Sequence, residues 1–413
     1  MKRLTTILLA VAMIACLFTG CAAPAATAPA AEAAPAAEAA PAAEAAPAAE
    51  EAPAASAGTI KIGVTGPMTG AAAANGQYMK NACDLAVEEW NAKGGLLGQT
   101  IEIVYEDDQA TASVALNAVT KQIFDNAVAA LIGPHNSGCV LSIADLLNQE
   151  NKICLTGGTS PKISALGNPN IFRIRASDSL TAALAYKFAK ENLGTDKIGF
   201  MYINNDFGTG ALEVVKAAAA EAGVELLAVE GFTPGDTDMS GQLLKMQSAG
   251  CEAVVCWSDD AEGAIIARQY HEYGMNEVYA LIGSATFSLS NFYNTVDATN
   301  ADGIYSVNDY AYTNTDEQVV AYEAEYFARY GIHTDLYSAA YYDAACLLFT
   351  AIEAAGSTDS DAIKDALHNK IGTYDGVMAN VTFDDVNDGI HQILIIKNNG
   401  STPEVSDIVY ENN

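Results

Sequence analysis

Two serines, Ser137 and Ser160, stand where a chain can hold a small anion. Within residues 129–161 an apolar run ends in Gly133-Pro134, the loop His135-Asn136-Ser137 follows, and an amphipathic segment covers residues 139–149. A second apolar run, 153–155, opens into Thr156-Gly157-Gly158-Thr159-Ser160 ahead of Pro161. Strand, loop, helix, strand, loop in that order makes a right-handed parallel unit, so both loops emerge at the carboxyl edge of one sheet. Ser137 reads as an N-cap, and Ser160 before Pro161 as an N-cap with proline at the first helical position. Two hydroxyls and the free N–H groups of two helix starts then converge on one spot, which suits a carboxylate. The bland alternative, that the serines only cap their helices, fits this stretch equally well.

The rest of the chain supplies the elements that must position these loops. Strand and helix patterns alternate from Thr59 onward: strands over 59–66, 101–105 and 128–132, helices over 76–93 and 114–124. This predicts an α/β doubly wound parallel sheet. A second series of the same kind follows residues 171–175, with strands over 198–203, 225–231, 253–257 and 278–282 between helices. The remainder predicts a strand over 303–307, helices over 317–330, 338–355 and 361–369, and strands over 377–383, 392–397 and 405–410. About a hundred residues are too few for a third sheet and suffice to finish two. The chain must therefore cross between two lobes more than once, which makes a cleft and a hinge.

Residues 1–20 have the form of an export leader, with Lys2 and Arg3 before the apolar run 8–18 and small residues before Cys21. Export predicts an extracytoplasmic protein. From Ala22 to Ser56 the chain repeats Ala, Pro and Glu with a six-residue period, which prevents a long helix and builds no core. It is expected to act as a tether. The formal charge of −31 with no basic tract argues against nucleic acid as a partner. Beyond the leader no apolar run reaches the roughly 18 residues that span a bilayer. Cys83, Cys139, Cys154, Cys251, Cys256 and Cys346 lack the spacing of a metal or redox pair and are expected as buried free thiols, and the five histidines are scattered. No metal and no cofactor is expected.

Several segments together resemble the branched-chain amino acid-type periplasmic binding proteins: residues 60–70 (IKIGVTGPMTG), Asn91-Ala92-Lys93-Gly94-Gly95, Tyr105-Glu106-Asp107-Asp108, Ile132-Gly133-Pro134, Asn205-Asp206-Phe207-Gly208 and Ser288-Leu289-Ser290-Asn291. The leader likewise resembles a bacterial lipoprotein signal, which implies a diacylglycerol on Cys21. The resemblance implies the type I periplasmic-binding fold, two lobes joined by three crossovers near 176–178, 307–310 and 384–387. Residues 59–177 with 308–385 would form lobe 1, and 178–307 with 386–413 lobe 2, after the leader (1–20) and the lipidated tether (21–58). It also implies the substrate-binding component of an ABC importer, which delivers a small amino acid, branched-chain or otherwise apolar, to a permease served by a separate ATPase.

By that resemblance Ser137 and Ser160, with the backbone of Gly158 and Thr159, hold the ligand carboxylate. Phe207 replaces a frequent tyrosine and can only pack. The segment 282–286, where relatives carry a glutamate for the ammonium, has no acid, so Asp259 at the end of strand 253–257 is the candidate, or else a solvated or N-capping aspartate. Asn75, Trp257 and Tyr337 are expected on the walls. A carboxylate or amide without an ammonium is the alternative ligand, and a sensory receptor the alternative partner. An enzyme is disfavoured: no Gly-x-Ser-x-Gly elbow occurs, and His135, two residues before Ser137, has no visible orienting group. No Walker loop is present.

Overall fold

A computed structural model describes residues 58–410; the leader, Cys21, the tether up to residue 57 and residues 411–413 lie outside the described residues. Strands β1 (Thr59–Gly66), β2 (Thr100–Asp107), β3 (Ala130–Ile132), β4 (Cys154–Thr156) and β5 (Ile171–Ala176) build one parallel sheet. Strands β6 (Ile198–Ile203), β7 (Ala228–Phe232), β8 (Ala253–Trp257), β9 (Ala280–Gly283) and β10 (Tyr305–Asn308) build the parallel part of a second. Central strands such as β3, β4 and β8 are apolar and buried along their whole length, as strands covered by helices on both faces must be. The edge strand β7 alternates instead.

After β11 (Tyr374–Asp375) and β12 (Asn380–Val381) the chain adds β13 (Asp388–Ile390) beside β5, then β14 (Gln392–Asn399) beside β10 and β15 (Thr402–Tyr410) beside β14. The sheet orders are β13-β5-β4-β3-β1-β2 and β15-β14-β10-β9-β8-β6-β7. The second sheet is not wholly parallel, because β14 and β15 run antiparallel to their neighbours. Residues 377–383 do not form the single strand expected of them. The N–H groups of Val377 and Met378 donate to the buried Asp343 carboxylate (2.9 and 2.8 Å) and not to a ladder.

The chain passes between sheets after β5, after β10 and at His391. The last passage lies beyond 384–387 because β13 still pairs with β5. Each passage has an arginine beside it or across from it. Arg175 binds Asp309 through Nη2 (2.7 Å) and Nε (3.0 Å), joining the ends of β5 and β10, and Arg173 Nε binds Asp388 on β13 at 2.7 Å. Removing one partner of such a buried pair costs about 3–5 kcal/mol.

Helix Leu336–Ala355 packs along helix Ala73–Ala92 under the first sheet, with Trp90 edge-on to Phe349 at 5.6 Å. It starts on a capping box made by Asp335 and Ser338, which fixes where Tyr337 and Tyr341 enter the molecule. The six cysteines of the described residues are buried and unpaired. Among the described residues no helix is long and apolar enough to cross a membrane.

Candidate functional site

The loop after β3 is fixed from behind. Gly133 has φ +80°, and a Cβ there would lie 2.0 Å from the Thr65 carbonyl oxygen, so only glycine fits. Thr156 donates its hydroxyl to the Pro134 carbonyl (2.6 Å), which seats His135, Asn136 and Ser137 at the sheet edge. Ser137 is the first residue of its helix; Asn136 takes the N-cap position, and no side chain caps there. The Ser137 Oγ instead accepts the Ser160 N–H (3.2 Å), and its own O–H faces a cavity between the lobes.

The loop after β4 presents alternate residues to that cavity. Gly157 and Thr159 line it, and Gly158 and Ser160 do not. An extended segment sends successive side chains to opposite sides. Gly158 faces Ile163 and Val140, and Ser160 donates its hydroxyl to the Asp206 carbonyl of the second lobe (3.0 Å). Ser160 thus neither caps its helix nor reaches the cavity. Arg173 Nη1 donates to the Thr159 and Ser160 carbonyls (2.8 and 3.1 Å) on the far side, which holds the loop in this register. The Thr159 hydroxyl donates to Asp178 Oδ2 at 2.9 Å.

The second lobe supplies the facing wall. Trp257 ends β8, is 1% exposed, and its Nε1 has no partner. Phe207 packs beside it, ring centroids 6.3 Å apart. Asp259 occupies the N-cap position of helix Asp260–Glu272 without making a cap bond, and accepts from Asn205 Nδ2 at 3.1 Å. Burial, then the neighbouring Asp260 and Glu262 carboxylates, push it up to about 7. Ser284, Ala285 and Thr286 line the place beside it, and Thr286 spends its hydroxyl on the Ser258 carbonyl (2.8 Å). Of the three acids at this helix start, Asp259 alone lines the inner cavity, and Asn205 engages only its Oδ2.

Tyr337 closes the cavity floor against His135, ring centroids 4.3 Å apart. His135 Nδ1 meets the Tyr341 hydroxyl (3.2 Å), and burial with the nearby Arg175 charge holds the imidazole well below its usual range, hence neutral. Asn75 lies farther out, in a wider chamber at the cleft mouth, and donates to Asp260 Oδ2 at 2.9 Å. Arg175, Asp178 and Thr181 also line the inner cavity, and sequence reasoning did not single them out. Their signal was present: they lie at or just past the end of β5, at a crossing where side chains of both lobes meet.

Several bonds join the lobes across the cleft. Besides the Ser160 and Asn75 bonds, Lys162 Nζ meets Asp206 Oδ1 (2.7 Å) and Ser290 reaches the Thr334 carbonyl (3.4 Å). The lobes are thus closed on a cavity that offers hydroxyls from one side and a carboxylate from the other. Among the described residues no cluster has the ligands for a metal ion.

Comparison with known proteins fits this geometry. The family model described as "Periplasmic binding protein" matches residues 59–400. The chain is 29% identical over 312 residues to the Leu/Ile/Val-binding protein homolog 3 of Brucella melitensis, covering 75% of this chain and 83% of that one. It is 25% identical over 346 residues to a leucine-, isoleucine-, valine-, threonine- and alanine-binding protein of Pseudomonas aeruginosa, covering 81% and 88%. Among solved structures, the branched-chain amino acid transporter substrate binding protein LivJ of Streptococcus pneumoniae, in complex with isoleucine, superposes with a TM-score of 0.78 at 25% identity, over 86% of this chain and 100% of that one.

Proposed function

Because the chain belongs to the periplasmic binding protein family, in its branched-chain amino acid-type branch, we propose that it captures a small amino acid between its lobes and delivers it to the permease of an ABC importer. The observation that carries this is the closed cavity with the Ser137 hydroxyl on one wall and the Asp259 carboxylate on the other. Ser137, held by the Ser160 N–H, donates to the ligand carboxylate, and Thr159 with the Gly157 backbone flanks it. Asp259 takes the ammonium. Charge-assisted hydrogen bonds in a water-poor site carry recognition. Trp257, Phe207 and Tyr337 pack the body of the ligand. Gly158 and Ser160 act at one remove, the first by close packing and the second as a latch between lobes.

The work cycle is binding by closure. The ligand bridges two walls, the lobes close about the three passages, and the closed form is what a permease receives. The relatives are named as binding proteins, which supports capture as the function. We extend the same proposal to the parts outside the described residues: a leader removed on export, a lipid on Cys21, and a tether that holds the binding domain off the membrane's outer face.

A thermal-shift panel of the amino acids, with carboxylates and amides that lack an ammonium, tests the proposal, since a ligand of the folded state raises the midpoint. A shift with one or more amino acids is expected. Shifts confined to compounds without an ammonium would replace the amino acid by an ammonium-free carboxylate or amide.

A further inference from the structure

Beyond a waist formed by Asn136, Ser137, Phe207, Asp259 and Tyr337, the inner cavity opens into an outer chamber lined also by Asn75, Asp206, Asp260 and Glu262. From the polar atoms of this chamber we infer that the ligand's side chain ends in a cation, an ammonium or a guanidinium. The inference rests on the amino-acid proposal, which places the ligand's α-carbon at the waist.

The Asp206 charge is met by Lys162. Asp259, Asp260 and Glu262 have no such partner. They receive only neutral donors: Asn205 Nδ2 on Asp259, Asn75 and Asn291 Nδ2 and the Thr286 hydroxyl on Asp260, and the Gly235 N–H on Glu262. Among the described residues no Lys, Arg or His forms an ion pair with any of the three. The helix start beneath them favours negative charge, but it does not neutralise three carboxylates within four residues.

A second observation points the same way. Asn75 is 5% exposed, and once its amide nitrogen is given to Asp260 its Oδ1 is left without a partner. Asn136 Oδ1, at the waist, has none either. Leaving a buried acceptor unpaired costs about 1–3 kcal/mol, so such atoms mark a missing donor. The buried side-chain atoms left unpaired at the chamber and its waist, Asn75 Oδ1 and Asn136 Oδ1, are thus both acceptors, which a donor-only group such as an ammonium or guanidinium satisfies and an aliphatic side chain does not. With Asp259 taken by the α-ammonium, an apolar side chain in this direction would bury the Asp260 and Glu262 carboxylates without a compensating charge.

Calorimetric titration of the purified protein with L-lysine, L-arginine, L-norleucine and cadaverine tests this. Norleucine has the reach of lysine without the terminal charge, and cadaverine keeps both amines without the carboxylate. Lysine or arginine should bind at least about tenfold tighter than norleucine, as one charge-assisted contact gives. That ratio should fall toward one in Asp260→Asn and in Glu262→Gln, two independent near-isosteric variants, and should shrink with added salt. Norleucine binding as tightly as lysine and arginine overturns the inference and leaves the amino-acid function standing. Cadaverine binding where no amino acid binds supports the cationic chamber and overturns the amino-acid function. Binding by none of the four overturns the inference.

Discussion

Gly210 offers a way to weaken ligand binding without touching the ligand. It lies in helix Asp206–Glu221 of the second lobe, and a Cβ there would stand 2.5 Å from Ser160 Oγ and 3.0 Å from Pro161 Cδ, both of the first lobe. Ser160 can move only by giving up its bond to the Asp206 carbonyl, worth about 1 kcal/mol. The Pro161 ring cannot rotate away. Forcing a methyl into such a contact costs about 1–3 kcal/mol. The cost arises only when the lobes are closed, so Gly210→Ala should shift the population toward the open form and weaken ligand affinity roughly 5- to 150-fold. In the helix interior the same change should raise resistance to unfolding of the ligand-free protein by about 0.5–1 kcal/mol. Calorimetry and urea denaturation should therefore move in opposite directions. Ser160→Ala in the same chain should restore part of the affinity, since it removes the nearer contact and leaves the proline. Wild-type affinity in Gly210→Ala would refute the closed geometry, and a joint loss of affinity and stability would refute the argument that the methyl acts only on closure.

Asp259→Asn keeps the shape and removes the charge, so an amino acid should bind about 10- to 100-fold more weakly by calorimetry, and a ligand indifferent to the change would remove Asp259 as the ammonium partner. Because Asp259 sits at about 7, affinity for an ammonium-bearing ligand should also fall as the pH drops from about 8 to about 6, the carboxylate being protonated across that range. Ligand-free stability should run the other way. Burial within the first lobe raises Asp343 to about 7 and Asp335 to about 8, so the folded state holds more protons than the unfolded one up to those values, and unfolding free energy should decline from about pH 6.5 to about pH 8. The buried neutral His135 opposes this, but only below its unfolded value near 6.5. Denaturant midpoints that rise over that interval would contradict the assignment of those carboxylates.

Periodicity made the two sheets legible, because buried parallel strands are apolar runs and their covering helices repeat every three or four residues. What it could not give was register within a loop. Ser160 was the natural choice before Pro161, yet Arg173 pulls the carbonyls of Thr159 and Ser160 to one side, and the alternation then sends Thr159 inward and Ser160 toward the other lobe. Arg173 stands in a strand on the far side of the loop, so no local pattern announces its effect. Asn75 has a similar history. Its place near the cleft follows from the helix start, but its commitment to Asp260, 185 residues away, depends on lobe closure. The antiparallel β14–β15 edge was hidden because an isolated terminal strand carries no sign of its direction.

The placement of buried charge explains why closure can be a simple motion. Arg175 and Asp309 sit at two of the three passages, and Ala176 N–H also donates to Asp309 (3.0 Å), so the ends of β5 and β10 are clasped in one bidentate pair. Arg173 with Asp388 does the same for β5 and β13, just before the third passage. Buried ion pairs add little net stability against an apolar alternative, and their directional bonds instead fix one geometry. The strand ends at the three passages, β5 and β13 of the first sheet and β10 of the second, must then turn together. The bonds at the cleft mouth, Ser160 and Lys162 on Asp206 and Asn75 on Asp260, lie on long side chains or a single hydroxyl and break at small cost. Strong clasps at the pivot and weak latches at the mouth leave the ligand, which alone spans Ser137 and Asp259, to decide whether the lobes stay shut.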